Sequence, residues 1–200
     1  MNNVTLIGMP GSGKSTIGVI LAKALRYEFL DSDLLIQKEE KRKLSEIIAQ
    51  DGPERFMEIE NRVNVAIHVT DTVIAPGGSV IYCEEAMEHL KSIGKVIYLK
   101  LSLEALSKRL GDLKGRGVLL KDGQSLKDLY EERVPLYEKY ADITIDEDGK
   151  DLDESLRAIL EIIHIKEQGK LLLQVLKQIV VNNFCLQMLN ICYNIQLTLK

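Results

Sequence analysis

Gly8-Met9-Pro10-Gly11-Ser12-Gly13-Lys14-Ser15-Thr16 places glycines, a lysine and hydroxyls at fixed intervals, directly after the short apolar run Val4 to Ile7 and before a helical pattern. This is a G-x-x-x-x-G-K-[ST] loop in the context its chemistry needs. Glycines let the backbone around Gly11, Ser12 and Gly13 wrap an anion, so that successive N–H groups and the following helix N-terminus point at negative charge. Lys14 then reaches the β- and γ-phosphates, and Ser15 offers its hydroxyl to Mg²⁺ bridging the same oxygens. Gly8 to Thr16 is therefore expected to bind a nucleoside triphosphate, ATP in the simplest case, with its magnesium.

Other residues have the types and positions to act beside such a loop. Asp31-Ser32-Asp33 follows a short apolar run. Two carboxylates two residues apart at a strand end can face the same side, one holding Mg²⁺ through its waters and the other orienting or deprotonating an attacking hydroxyl. Helix capping is the competing role, since Asp and Ser are preferred N-caps, although capping needs only one of them. Ala75-Pro76-Gly77-Gly78-Ser79 offers unshielded N–H groups at another strand end, or simply a tight turn. Arg116 sits in the glycine-flanked Lys114-Gly115-Arg116-Gly117, a segment able to fold over a nucleotide. Arg133, in Glu131-Glu132-Arg133-Val134-Pro135-Leu136-Tyr137, reads equally as a helical salt-bridge partner.

These groups need a frame, and the pattern supplies one. Apolar runs at Asn3 to Ile7, Tyr27 to Leu30, Thr72 to Ala75, Val96 to Leu101 and Ile143 to Ile145 read as buried strands. Helical patterns cover Lys14 to Leu25, Leu34 to Glu40, Leu44 to Ala49, Pro53 to Val69, Glu84 to Lys91, Leu103 to Leu110, Leu126 to Tyr140 and Leu152 to His164. A β-α alternation with buried strands predicts an α/β fold: a parallel sheet with helices on both faces and ligands at the carboxyl ends of the strands.

Composition agrees with one globular domain plus an appendage. The 200 residues are 46% apolar and 28% charged, and a net charge of −4 without a basic run argues against a nucleic-acid surface. Cys83, Cys185 and Cys192 form no C-x-x-C pair and are odd in number, so packed thiols are expected rather than zinc or disulfides. The chain enters its first strand without a basic leader, which makes the cytoplasm the default expectation. The tail from Ile165 to Lys200 is leucine-rich and plausibly helical, but amides interrupt its apolar run too often for a membrane span. It reads as added helices packed on the domain or as a self-association surface.

Taken in order, the phosphate loop, the Asp31-Ser32-Asp33 strand end, Phe56 to Glu60, the Gly77-Gly78 turn, Arg116 and Glu132 to Tyr137 resemble the shikimate kinases over about residues 1 to 164. The resemblance implies a nucleoside-monophosphate-kinase-like P-loop fold with a five-stranded parallel sheet, a monomer, and ATP-dependent phosphorylation of the 3-hydroxyl of shikimate. It assigns Asp31 to the magnesium shell and Asp33 to the shikimate hydroxyls as base. Gly77 and Gly78 would lie along the substrate and Arg133 on its carboxylate. Arg116 would reach the phosphates from a lid, and Arg109 would stack on adenine. Three features depart from the family pattern. Met57 stands where Phe-Arg-x-x-Glu has its arginine; Ser79 stands at a usual third glycine, after Pro76; and the lid reads Arg-Gly-Val rather than Arg-Pro-Leu. Arg55, about 200° around the helix from Met57, is expected to face away. Losing one charge-assisted contact to a carboxylate costs on the order of 1.5–3 kcal/mol. Two further readings stay open on these residues: a kinase for another small hydroxylated metabolite, and a nucleotide-binding regulatory protein with little turnover. Met57→Arg should lower the KM for shikimate by roughly tenfold, and an unchanged KM would count against placing this helix at the acceptor.

Overall fold

The computed structural model describes residues 2–109 and 123–163. Arg116 and the tail over 165–200 lie outside them. The chain divides after Leu156 into two units, and every element named below belongs to the first.

In chain order these are β1 (Asn3–Ile7), α1 (Lys14–Leu25), β2 (Glu28–Asp31), α2 (Ser32–Glu40), α3 (Leu44–Val65), β3 (Thr72–Ala75), a 3₁₀ turn over Val80–Tyr82, α4 (Glu84–Ile93), β4 (Gly94–Lys100), α5 (Leu103–Arg109), α6 (Leu126–Tyr140) and β5 (Ile143–Asp146). The five strands form one parallel sheet in the order β2-β3-β1-β4-β5. β1 is central, and the chain winds to one side of it for β2 and β3 and to the other for β4 and β5. The crevice at the carboxyl end of β1 is where such sheets bind ligands. Alternation along the strands sends side chains to two faces. Ile7, Ile74, Val96 and Tyr98 join the large core cluster that holds Met87 and Leu90 of α4 and Tyr137 of α6. Gly18 of α1 packs on the other side against Leu6 and the Phe29 ring, which a Cβ at Gly18 would approach to 2.6 Å.

The elements follow the sequence pattern, with shifts at their ends that have local causes. β2 begins at Glu28 rather than Tyr27, because the Tyr27 N–H donates to Ala22 O and closes α1 instead of joining the ladder. β4 begins at Gly94, which pairs with Asn3, ahead of the apolar run. The two helices read from Leu44 and Pro53 form one element kinked at Gly52, whose φ of 85° and ψ of 167° break the helix just before Pro53. That helix stops at Val65 rather than Val69. Asn64 turns its side-chain amide back to Glu60 O, the Ile67 side chain is buried, and Ile67 O pairs with His89 Nε2, so the chain leaves the helix for β3. α2 starts at Ser32, two residues before Leu34, with Asp31 as its N-cap. Cys83 is a buried thiol, as expected, and burial pushes its pKa up to about 12. Among the described residues no helix is long and apolar enough to cross a membrane.

Asn3 fixes the amino ends of the central strands. It is 1% exposed; its amide donates to Val69 O (2.8 Å) and Ile93 O (3.1 Å), and its carbonyl accepts from Thr72 N–H (3.0 Å). One side chain thereby satisfies backbone groups at the entries to β3 and β4. Asn3→Ala would strand those groups, and urea denaturation should show a loss of about 2–4 kcal/mol. A loss below about 0.5 kcal/mol, the range of a neutral surface change, would mean that the strand ends are held by something else.

Candidate active site

The loop after β1 is built to face an anion. Gly11 and Gly13 adopt left-handed φ values of 81° and 93°, and Gly13 is the N-cap of α1. The Ile17 N–H is the first to pair back, with Gly13 O at 2.9 Å, which leaves the N–H groups of Lys14, Ser15 and Thr16 as the unpaired first turn of the helix. Gly11, Gly13, Lys14, Ser15 and Thr16 line a cleft of about 350 Å³. The Lys14 ammonium folds over the strand end, donating to Gly8 O (2.9 Å) and Met9 O (3.2 Å). Burial lowers its pKa to about 8, with Arg133 adding to the fall and Asp33, Asp31 and Glu60 opposing it. Ser12 is fully buried beneath the loop.

A second cleft, of about 220 Å³, opens beside the first. Asp33, Phe56, Gly77, Gly78 and Arg133 line it, and Gly11, Lys14 and Ser15 line both clefts. Lys14 thus stands in the wall between two binding spaces.

Asp31 caps α2 and faces the loop at once: its Oδ1 accepts the Asp33 N–H (3.0 Å) and its Oδ2 accepts from Ser15 Oγ (3.0 Å). Capping and site chemistry are therefore joint uses of one carboxylate. Ser15 and Asp31 offer a hydroxyl and a carboxylate in contact, an oxygen-only pair that suits a Mg²⁺ ion whose other ligands are phosphates and water. Asp33 points into the second cleft, and no described residue hydrogen-bonds its Oδ1. Burial, then the like charge of Asp31, raise its pKa to about 6 against the pull of Lys14. Gly77 lets both acids approach the turn: a Cβ there would lie 2.5 Å from Glu60 Oε1 and 2.8 Å from Asp33 Oδ1, so one of those carboxyls would have to move. Arg133, 1% exposed, brings Nη1 to 3.2 Å from where a Cβ on Gly78 would sit. It is a buried site residue and not a solvated helix pair.

The chain matches known proteins along most of its length. The shikimate kinase family model fits residues 10–164. Shikimate kinase from Thermodesulfovibrio yellowstonii is 34% identical over 173 residues, covering 85% of this chain and 99% of that one. The Clostridium botulinum enzyme of the Loch Maree strain is 37% identical over 165 residues, covering 80% and 95%. Among solved structures, shikimate kinase from Acinetobacter baumannii in complex with shikimate superposes with a TM-score of 0.75 at 32% identity, covering 83% of this chain and 94% of that one. The chain belongs to the shikimate kinase family.

Against the family pattern, no nearby arginine of helix α3 stands in for the one missing at 57 among the described residues. Arg55 is exposed and pairs with Glu58 at 2.6 Å, turned away as its helix position requires. Met57 is half-buried and does not line the second cleft. Glu60, one turn further on, is fully buried, and neither carboxyl oxygen has a hydrogen bond of regular geometry to a described residue. Burial, with Asp33 adding its charge, raises its pKa to about 7, and Ser79, Arg133 and Lys14 offset this only partly. Arg109 is exposed at the end of α5 and lines neither cleft. Among the sequence motifs Glu60 figures only as the end of the Phe56 to Glu60 stretch, and Tyr82, which meets Arg133 from the turn after Gly78, does not figure at all. No motif or periodicity marks Tyr82, which ends the 3₁₀ turn four residues past Gly78.

The Glu60 shift fixes a sign for stability against pH. Its folded pKa of about 7 exceeds the ordinary 4.5, so between those values the folded protein keeps a proton that the unfolded chain has released. Stability therefore falls as pH rises through that window and levels above it. Asp33 acts in the same sense between 3.8 and about 6. In chemical denaturation at pH 5 to 8, Glu60→Gln should reduce the loss of stability by on the order of 2 kcal/mol. An unaltered slope would show that Glu60 is ionised in the fold.

Proposed function

We propose that this protein transfers the γ-phosphoryl group of ATP to the 3-hydroxyl of shikimate. The observation that carries this reading is the shared wall: Gly11, Lys14 and Ser15 border the phosphate cleft and the acid-lined cleft together. A triphosphate whose terminal group lies at Lys14 then faces a hydroxyl in the neighbouring space, the arrangement that in-line phosphoryl transfer requires. Family membership and the shikimate-bound relative support the choice of acceptor.

In this reading Asp33 orients the acceptor hydroxyl and takes its proton as the bond to phosphorus forms. A carboxylate whose pKa burial lifts to about 6 is still ionised at neutral pH and is a better base than an ordinary aspartate. Gly77 and Gly78 let the ring lie against the backbone, and Arg133 holds its carboxylate. Lys14 stabilises the developing charge, with Arg116 acting from the segment between α5 and α6. Arg109 stacks on adenine. Ser15 and Asp31 would hold Mg²⁺, which when bound would neutralise phosphate charge. The kinase domain corresponds to residues 1–164, where the family match ends, and 165–200 are an appended extension. A chain with this substrate pair works in the cytoplasm.

The test is ADP release with Mg²⁺ and ATP, with and without millimolar shikimate, set beside other hydroxylated acids and sugars, for the native protein and Asp33→Asn. Shikimate alone should stimulate turnover, and Asp33→Asn should cut kcat by about 10²–10⁴ with little change in the KM for ATP. Stimulation by an acceptor without a ring carboxylate, and not by shikimate, would replace the acceptor. Equal losses in kcat and ATP affinity would move Asp33 out of the acceptor cleft.

A further inference from the structure

Resting on the reading that Arg133 binds the acceptor carboxylate, we propose that Tyr82 is the positioning residue for that arginine, and that its ring and hydroxyl set the guanidinium's orientation for the carboxylate.

The contacts form one continuous line. Arg133 Nε donates to the Tyr82 hydroxyl (3.3 Å), and the guanidinium carbon stands 5.3 Å from the centre of the Tyr82 ring. The same hydroxyl donates its proton to Glu132 Oε1 (2.9 Å), and Glu132 Oε2 accepts from Gln124 Nε2 (2.8 Å). Glu132 and Arg133 are neighbours in sequence on α6, so their side chains diverge by about 100°. Tyr82 reaches both from the turn after Gly78 and joins them through a single oxygen that accepts from the cation and donates to the anion. Burial raises the Tyr82 pKa, which keeps the phenol neutral and its proton available to Glu132. The turn and α6 are tied a second time in the opposite direction, where the Tyr137 hydroxyl, one helical turn past Arg133, donates to Gly78 O (2.6 Å).

Orientation matters here more than it would in a two-arginine seat. A planar fork binds a carboxylate well only when both of its donors face it, and an arginine held in advance loses less rotamer freedom on binding. With methionine at 57, the pairing falls to Arg133, and what fixes Arg133 fixes the acceptor. The Nε donor meets Tyr82, and Nη1 stands on the side of Gly78, which lines the cleft with Arg133.

Steady-state kinetics of Tyr82→Phe, Arg133→Lys and the double variant, with shikimate and with its analogue bearing a carboxamide in place of the ring carboxylate, test this. Phenylalanine keeps the ring and removes only the bridging hydroxyl. Tyr82→Phe should raise the KM for shikimate about threefold to tenfold, with kcat and the KM for ATP within about twofold. The carboxamide's KM should not move, and the double variant should be no worse than Arg133→Lys alone. If Arg133→Lys raises the shikimate KM and Tyr82→Phe does not, the positioning role is overturned while the proposed function stands. Equal losses for shikimate, carboxamide and ATP would make Tyr82 a general structural residue and overturn it as well. If neither variant alters the shikimate KM, Arg133 is not the carboxylate site, and both readings fall.

Discussion

Four ionisable side chains crowd together at the carboxyl end of β1: Lys14, Asp33 and Arg133 line the acceptor-side cleft, and Glu60 is buried behind Gly77. Burial is the largest influence on Lys14, Asp33 and Glu60, lowering the lysine and raising both acids toward neutrality. Such crowding is costly, because charges removed from water recover little unless they are well paired. Functional sites accept that cost when groups must exchange protons or meet charged ligands near pH 7. Here the fold supplies the stability that offsets it. β1 and β3 are buried along their whole length, and Asn3 ties their amino ends together.

That rigidity explains why so much chemistry comes from three short connections. The loop after β1, the residues ending β2 and the turn after β3 lie side by side because their strands are neighbours in the sheet. Asp31 pairs with Ala75 in the β2–β3 register, so the Asp31 carboxylate and the glycine turn start at the same height. α3 and α6 then line the crevice with Phe56 and Arg133, neither of them near the loop in sequence.

How far this was legible in the sequence depends on whether a residue acts through local spacing. Lys14, Ser15 and the glycines are fixed by a contiguous motif, and β1, α1, β3 and α6 follow from patterns whose ends coincide with caps or turns. Asp31 and Asp33 could be flagged as a pair but not assigned, since a cap and a site carboxylate look alike until the Ser15 contact is seen. Arg133 was ambiguous for the same reason, because a helical arginine among glutamates reads as solvated and only tertiary packing buries it. Tyr82 and the strain on Glu60 were out of reach. A hydroxyl bridging two residues some fifty positions away, and a carboxyl deprived of partners, are properties of packing that leave no periodic trace.

Met57 ties these observations together. The family pattern places a cation there; without it the acceptor side of the crevice loses one positive charge, and Glu60, one turn on, keeps no basic neighbour on its own helix face. An ionised Glu60 would compete with an incoming carboxylate for the field of Arg133. The dryness that makes Glu60 hard to ionise works against that competition, for a protonated acid leaves the guanidinium to the ligand. A carboxylate seated on Arg133 would then raise the Glu60 pKa further, since a second negative charge in the same low-dielectric space is disfavoured. On the proposed reading of Arg133, ligand and proton would then bind with positive coupling, each making the other more favourable. The methionine removes an attraction, and through Glu60 it also limits the repulsion that would otherwise follow.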